Sequence, residues 1–153
     1  MRLCLMRHGE AVNKSVDPAR PLTTKGRGDT ERIALVLKQA SFNFDIVCHS
    51  GKTRAEQTAA IVRDVVSPQA SFEKKEGLGP NDAIDDLVYD ISAWDQDVVV
   101  VGHLPYLSVL TSRLVANNES KPLVAFQTST AVILENDSNG NWYIVSVFNP
   151  EYL

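Results

Sequence analysis

The sequence predicts a three-layer α/β/α fold with a mostly parallel sheet of about six strands, of which one is antiparallel. Two observations lead to this prediction. Short apolar segments typical of buried strands alternate with longer segments whose apolar residues recur at helical spacing, which is typical of a parallel sheet covered on both faces. Near the carboxyl terminus two strand-like segments follow each other around the turn Asp137-Ser138-Asn139-Gly140, which indicates antiparallel pairing near one edge.

The first predicted strand is residues 2–6, where apolar side chains follow one another without a turn signal. Residues 9–22 are mostly polar and contain two prolines, so a loop is expected there. Thr23 is placed to cap a helix that continues to about residue 39, because Ile33 and Leu37 belong to a broad apolar face.

The second predicted strand covers residues 44–48. Thr53 and Glu56 have the spacing of a capping box, which predicts the start of a second helix. Residues 70–75 are expected to form a short strand, and a Gly-Pro loop follows at residues 77–80.

A third helix is predicted over about residues 81–94. The β-branched run Val98–Val101 is typical of a fully buried parallel strand. Pro105 suits the first position of a fourth helix, and the last two strands are expected over residues 131–135 and 142–148.

The length of 153 residues is that of one domain, and no repeat or linker divides the chain, so we expect a single domain over residues 1–153. No apolar run approaches the roughly 20 residues that span a bilayer, and charged residues such as Arg7 interrupt any signal peptide. The two cysteines, Cys4 and Cys48, fit a reducing compartment. We therefore expect a cytoplasmic monomer with no membrane partner.

The formal net charge of −4 argues against nucleic acid as a partner. The charge is unevenly distributed along the chain: residues 1–75 hold 13 basic and 8 acidic side chains, whereas residues 76–153 hold 2 and 11. This asymmetry indicates either two solvated surfaces of opposite charge or an anion site built mainly from the first half.

Three predicted strands end on residues that can bind an anion. Arg7-His8-Gly9 ends the first strand, Ser50–Arg54 links the second strand to its helix, and Gly102-His103 ends the valine-rich strand. In an open α/β sheet, ligands bind beyond the carboxyl ends of the strands. The joint appearance of these residues at three strand ends predicts one shared site.

These residue types suit phosphoryl transfer. A neutral imidazole can attack phosphorus, and its reference pKa near 6.5 leaves it mostly neutral at pH 7. The guanidinium fork of arginine matches two phosphate oxygens and stabilises the charge that spreads over them in the transition state. Because arginines supply this charge, and because His8, His49 and His103 lack the short spacing of zinc ligands, we expect no metal and no cofactor.

The segments that carry these residues resemble the histidine phosphatase superfamily, whose fold is phosphoglycerate-mutase-like. Residues 17–26 resemble a motif of the short SixA-type branch, the phosphohistidine phosphatases. The resemblance runs from about residue 2 to residue 150. The matching segments are Leu5–Ala11, Asp17–Gly26, Arg54–Ala59, Gly79–Asp82, Val101–Pro105 and Phe126–Ser129.

The resemblance implies a role for each matching residue. His8 is expected to be the phosphorylated nucleophile, and the residues expected to bind the phosphoryl group are Arg7, Arg54 and His103. Arg20 and Gly9 are expected to contact the substrate, and Asp17 is expected to orient the loop that carries Arg20. Ser50-Gly51-Lys52 departs from the Ser-Pro of many relatives, which leaves the shape of that loop open.

A general acid for the leaving group is not evident in the sequence. Glu76 is the nearest candidate, and the alternative is that it is an ordinary surface glutamate. An alcohol is a poor leaving group without a proton, whereas a phosphohistidine protonated on its other ring nitrogen releases neutral imidazole readily. A site without a dedicated acid therefore favours P–N bonds.

We therefore predict a metal-independent phosphohistidine phosphatase that acts through phospho-His8. Its expected partners are a histidine-phosphorylated signalling protein, such as a phosphotransfer-type domain, and the phosphate ion that it releases. Two alternatives remain open. One is a small-molecule phosphomonoesterase of the same superfamily, with Glu76 or a substrate group supplying the proton, and the other is a catalytically weak module that binds phosphoproteins.

Overall fold

A six-stranded sheet forms the centre of the protein in a computed structural model that describes residues 1–153. A short 3₁₀ helix, Pro150–Tyr152, ends the chain. The strands and helices in chain order are β1 (Arg2–Arg7), α1 (Thr24–Gln39), β2 (Ile46–His49), α2 (Thr53–Val66), β3 (Ser71–Lys74), α3 (Asp85–Ala93), β4 (Val98–Gly102), α4 (Tyr106–Ala116), β5 (Ala131–Asn136) and β6 (Trp142–Phe148).

The strands are arranged in the order β3-β2-β4-β1-β5-β6. The first four of these pair in parallel, whereas β5 is antiparallel to both β1 and β6. The prediction of a mostly parallel sheet with one antiparallel strand is therefore confirmed. Because β5 runs in the opposite direction, its amino-terminal end lies at the same edge of the sheet as the carboxyl ends of β1, β2 and β4.

Helices cover both faces of the sheet, as the sequence predicts. Along β1, Leu3 and Leu5 face the core that α3 and α4 complete, while Cys4 and Met6 face the core under α1 and α2. The alternation follows from the two-residue period of a strand. All of β4 is buried, as expected for a central parallel strand. No helix combines the length and apolar character needed to cross a membrane.

One predicted helix cap and one predicted helix start are wrong. Helix α2 already includes Thr53, so its hydroxyl does not form the expected capping box, and Lys52 precedes the helix without a side-chain cap. Helix α3 begins at Asp85 rather than near residue 81, because a turn occupies residues 79–82. In that turn the Asp82 carboxylate accepts a hydrogen bond from the Gly79 amide at 2.7 Å.

The start of α1 holds the loop that follows β1. The Thr23 hydroxyl accepts a hydrogen bond from the Gly26 amide at 2.9 Å, which confirms the predicted cap, and the Thr23 amide donates to the Glu10 carbonyl at 2.9 Å. A Cβ atom on Gly26 would overlap the Glu10 carbonyl oxygen and lie 2.7 Å from the Glu10 amide nitrogen. Only glycine permits this backbone contact.

We expect Gly26→Ala to lower the free energy of unfolding by at least about 2 kcal/mol, because the added methyl group meets backbone that cannot move aside cheaply. Gly28→Ala is the matched control, since Gly28 lies in the same helix and a Cβ there has no neighbour within 4 Å. Gly28→Ala should raise stability by about 0.5–1 kcal/mol through helix propensity alone. Urea denaturation measures both changes, and similar values for the two variants would contradict the proposed contact.

Candidate active site

Two histidines follow neighbouring parallel strands at the carboxyl edge of the sheet. Arg7 on β1 is in register with Gly102 on β4, so the next residues, His8 and His103, emerge side by side. The His8 amide donates to the Gly102 carbonyl at 3.1 Å, which fixes the two strand ends together. The imidazole rings lie 5.0 Å apart between centroids. The register of one strand pair thus brings together side chains that are 95 positions apart in the sequence.

Two arginines reach the same place from different elements. Arg54, in the first turn of α2, directs its Nε to the His8 Nε2 at a distance of 3.3 Å. Arg7 donates from Nη1 to the Phe126 carbonyl at 2.8 Å, and its Nε is buried without a hydrogen-bond partner in the protein. Arg7, His8, Arg54 and the adjacent His103 therefore form one cluster, as the sequence predicts for their location.

The hydrogen bonds of His8 define its tautomer. Its Nδ1 lies 2.7 Å from the Gly9 carbonyl oxygen, which can only accept, so Nδ1 carries the proton. The Nε2 of a neutral ring then carries a lone pair, and it is this atom that faces the Arg54 Nε. An imidazole arranged in this way presents a nucleophilic nitrogen beside a cation that can bind an anion.

Burial keeps both imidazoles uncharged. It lowers the pKa of His8 to about 4, and the charges of Arg54, Arg7 and Arg20 contribute in the same direction. Burial also lowers the pKa of His103 to about 3, with further contributions from its neighbours. Burial lowers the pKa of Arg7 and Arg54, but arginine starts so high that both remain charged at neutral pH.

Arg20 lies at the rim of this cluster. Its backbone is in the left-handed region, with φ at 49°, and its Nε donates to the Val12 carbonyl at 3.1 Å. Asp17 is in the preceding turn, where its carboxylate accepts from the Ala19 amide at 2.9 Å and its carbonyl accepts from the Arg20 amide at 3.0 Å. Asp17 therefore shapes the loop and Arg20 adds positive charge near His8.

Gly9 provides the close packing of the loop after His8. Its amide donates to the Thr58 hydroxyl at 2.9 Å. A Cβ on Gly9 would lie 2.8 Å from both the Gly26 carbonyl oxygen and the Thr30 hydroxyl. The structure thus places Gly9 against α1 and α2, and its predicted contact with substrate stays a prediction.

Glu76 lies near the site but in an exposed position. Its side chain is 86% exposed and forms an ion pair with the Lys74 ammonium at 2.9 Å. It borders an open cavity of about 510 Å³, which Ser50 and Lys52 also line. Its carboxylate therefore lacks the buried setting that is typical of a general acid.

Three residues to which the sequence analysis assigned no role of their own support the cluster. The Thr58 hydroxyl joins the Gly9 amide to the Arg54 carbonyl, at 2.9 and 2.8 Å. The Ser129 amide lies 3.1 Å from the Arg7 carbonyl and 3.2 Å from that of His8, and Ser50 lies 2.6 Å from His103. The four-residue spacing of Arg54 and Thr58 could have indicated the first contact. The contacts of Ser129 and Ser50 join distant parts of the chain and leave no local signal.

Neutral imidazoles and charged guanidiniums at the carboxyl edge of an α/β/α sheet define a class of protein that binds and transfers phosphoryl groups. Residues 3–79 match the model of the histidine phosphatase superfamily (branch 1). The chain is 30% identical over 149 residues to the phosphohistidine phosphatase SixA of Escherichia coli (strain K12), an alignment that covers 93% of this chain and 92% of that protein. The chain belongs to the histidine phosphatase superfamily and is a phosphatase.

Solved structures agree with this assignment. The protein histidine phosphatase SixA complexed with tungstate has a TM-score of 0.88 and 29% identity, with 99% of each chain covered. The alpha-ribazole phosphatase from Shigella flexneri has a TM-score of 0.78 at 18% identity, with 98% of this chain and 97% of that chain covered, and shows the same fold. The predicted phosphoglycerate-mutase-like fold and the resemblance to the SixA-type branch are therefore confirmed.

The low pKa of His8 has a consequence for stability. Above pH 6.5 the ring is neutral in both the folded and the unfolded chain, whereas between pH 6.5 and about 4 only the unfolded chain binds the proton. The free energy of unfolding therefore falls with decreasing pH. His8→Asn removes this titration and retains an N–H for the Gly9 carbonyl, so the variant should lose about 2 kcal/mol less than the wild type between pH 7 and pH 4.5.

Urea denaturation at both pH values measures this difference, and the pH 7 comparison serves as the control because His8 is neutral there. Parallel loss of stability in the two proteins would show that His8 is protonated in the folded state at pH 4.5.

Proposed function

We propose that the protein is a metal-independent phosphohistidine phosphatase that acts on histidine-phosphorylated signalling proteins through a phospho-His8 intermediate. One observation carries this proposal: His8 is held neutral, with its proton on Nδ1 and its Nε2 lone pair directed towards the Arg54 guanidinium. The name of the SixA relative, a phosphohistidine phosphatase, supports the same activity.

The cluster is suited to hold the phosphoryl group against His8. The Nε of Arg7 and the Nδ1 of His103 are both buried and have no hydrogen-bond partner in the protein. Both are therefore free to donate to phosphoryl oxygens. Arg54 places its guanidinium next to the His8 Nε2 itself. In the proposed reaction these donors stabilise the negative charge that spreads over the equatorial oxygens in the transition state.

In the first step, the His8 Nε2 lone pair forms a bond to phosphorus as the bond from phosphorus to the substrate imidazole breaks. The electron pair of the broken bond returns to the substrate ring, which departs as neutral imidazole when its other nitrogen already carries a proton. The Nδ1 proton of His8 remains in place, and its hydrogen bond to the Gly9 carbonyl stabilises the phosphorylated ring.

In the second step, a water oxygen attacks phosphorus and the bond to the His8 Nε2 breaks. The electron pair returns to His8, which regains its neutral form, and the water protons pass to phosphate and solvent. Neither step requires a carboxylic acid, because the leaving group in both is an imidazole. This agrees with the exposed position of Glu76 and its ion pair with Lys74.

The surroundings of the site favour a large substrate. The adjoining cavity of about 510 Å³ is open, and the 153-residue chain has no insertion that would close over a small sugar phosphate. We propose that the whole chain, residues 1–153, works as one domain and as a monomer, with no nucleic-acid or membrane partner. The buried free thiols Cys4 and Cys48 fit a cytoplasmic location.

The substrate class can be tested in the presence of EDTA with a phosphohistidine-bearing phosphotransfer protein and, separately, a panel of sugar and nucleotide phosphates. We expect the phosphoprotein to be hydrolysed and the panel to be hydrolysed far more slowly, because alcohol leaving groups need a proton that the site does not supply. His8→Asn should abolish both hydrolysis and the acid-labile labelling of the enzyme by phosphate.

The other outcomes identify the alternatives. Rapid turnover of the panel without turnover of the phosphoprotein would indicate a small-molecule phosphomonoesterase. Tight binding of the phosphoprotein without phosphate release would indicate a binding module. Loss of activity in EDTA, restored by a divalent metal, would contradict metal independence, and labelling that persists in His8→Asn would exclude His8 as the nucleophile.

Arg20 and Glu76 are expected to differ in importance. Arg20→Ala should lower kcat/KM about tenfold, because it removes a positive charge near His8 that attracts the anionic phosphoryl group. Glu76→Gln should change kcat/KM by less than about twofold, as expected for an exposed surface carboxylate. Steady-state kinetics with the phosphoprotein measure both, and a loss of about 100-fold in Glu76→Gln would establish it as a general acid.

A further inference from the structure

Ser50 is the only side chain that forms a hydrogen bond with His103. It follows β2, which pairs with β4 so that His49 is in register with Val101, and the two loops therefore leave the sheet together. The Ser50 Oγ lies 2.6 Å from the His103 Nε2. Anion binding at the site does not by itself require this contact, because an imidazole N–H can donate to an anion without a serine partner.

His103 depends on its partner more than an exposed histidine does. The ring is 2% exposed, burial lowers its pKa to about 3, and its Nδ1 has no partner in the protein. A neutral imidazole has one nitrogen that donates and one that accepts. Which one donates is determined by the hydrogen bond that the other nitrogen makes.

The second contact of Ser50 indicates the direction of the bond. The Ser50 Oγ also accepts a hydrogen bond from the Lys52 amide at 3.4 Å, in the turn that leads to α2. A hydroxyl has a single proton to donate. If the His103 Nε2 also donated to Ser50, that proton would have no acceptor among the contacts of Ser50. The hydroxyl satisfies all of its contacts when it accepts from Lys52 and donates to His103.

We propose that Ser50 is a positioning residue that fixes the tautomer of His103, so that the neutral ring carries its proton on Nδ1 and donates it to the transferring phosphoryl group. This inference rests on the proposed function for its catalytic consequence. Without Ser50, the ring can place its proton on Nε2. The lone pair of Nδ1 then faces the phosphoryl oxygen. Such a contact repels the anion that it should stabilise.

The tautomer is measured directly by two-bond ¹H–¹⁵N NMR of the ligand-free protein, in which the ring nitrogens of His103 are distinguished by their shifts. We expect an Nδ1–H ring in the wild type and in Ser50→Thr, which keeps the hydroxyl. We expect Ser50→Ala to contain the Nε2–H form. A wild-type ring with the proton on Nε2, or an unchanged Nδ1–H ring in Ser50→Ala, would overturn the proposal.

The catalytic consequence is measured on the same three proteins with the phosphohistidine-bearing protein. Ser50→Ala should lower kcat by about 10- to 100-fold, as for other residues that orient a functional histidine, with a smaller effect on KM. Ser50→Thr should restore most of this loss. Equal kcat values for the wild type and Ser50→Ala would contradict the inference.

Binding of inorganic phosphate separates this inference from the proposed function. If the wild type does not hydrolyse the phosphoprotein, the proposed function fails, while the NMR tautomer and the phosphate affinity of Ser50→Ala still test Ser50. We expect phosphate to bind about tenfold more weakly to Ser50→Ala than to Ser50→Thr. Equal affinities, in properly folded proteins with similar Tm, would indicate that Ser50 only shapes the loop.

Discussion

The activity that we propose depends on the burial of two uncharged imidazoles beside positive guanidiniums. Burial and the neighbouring charges both lower the pKa of His8, so its lone pair is available throughout the neutral range. Protonation would remove the lone pair and add a further positive charge beside those of Arg7, Arg54 and Arg20. In the proposed reaction the guanidiniums attract the anionic phosphoryl group, and burial keeps the His8 lone pair free to attack it.

The location of this cluster follows from the direction of one strand as much as from the motifs. Parallel pairing brings the ends of β1, β2 and β4 to one edge, which is the usual position of a site in an open α/β sheet. The antiparallel direction of β5 brings its amino-terminal end there as well. Phe126 and Ser129, just before β5, can therefore hold Arg7 through its side chain and its carbonyl.

The order of elements and the four clustered residues could be predicted because they depend on local patterns. Apolar runs define the strands, and the motif residues lie next to strand ends, where topology alone brings them together. The helix starts were less predictable, because Thr53 has the right spacing for a cap but is already helical. Ser50 and Ser129 lie in segments that the sequence singled out, but their contacts could not be predicted, since each acts through a partner more than 50 positions away.

The site also retains features that folding alone would disfavour. The Nε of Arg7 and the Nδ1 of His103 are buried without partners, and an unsatisfied buried donor costs about 1–3 kcal/mol. Arg20 and Ser129 hold positive φ angles of 49° and 62°, which non-glycine residues rarely adopt. These four residues belong to the site or to the loops that flank it, whereas the central strand β4 beneath them is apolar and fully buried. A phosphoryl group would satisfy both donors at once, so the stability given up in the folded protein becomes binding energy for the anion.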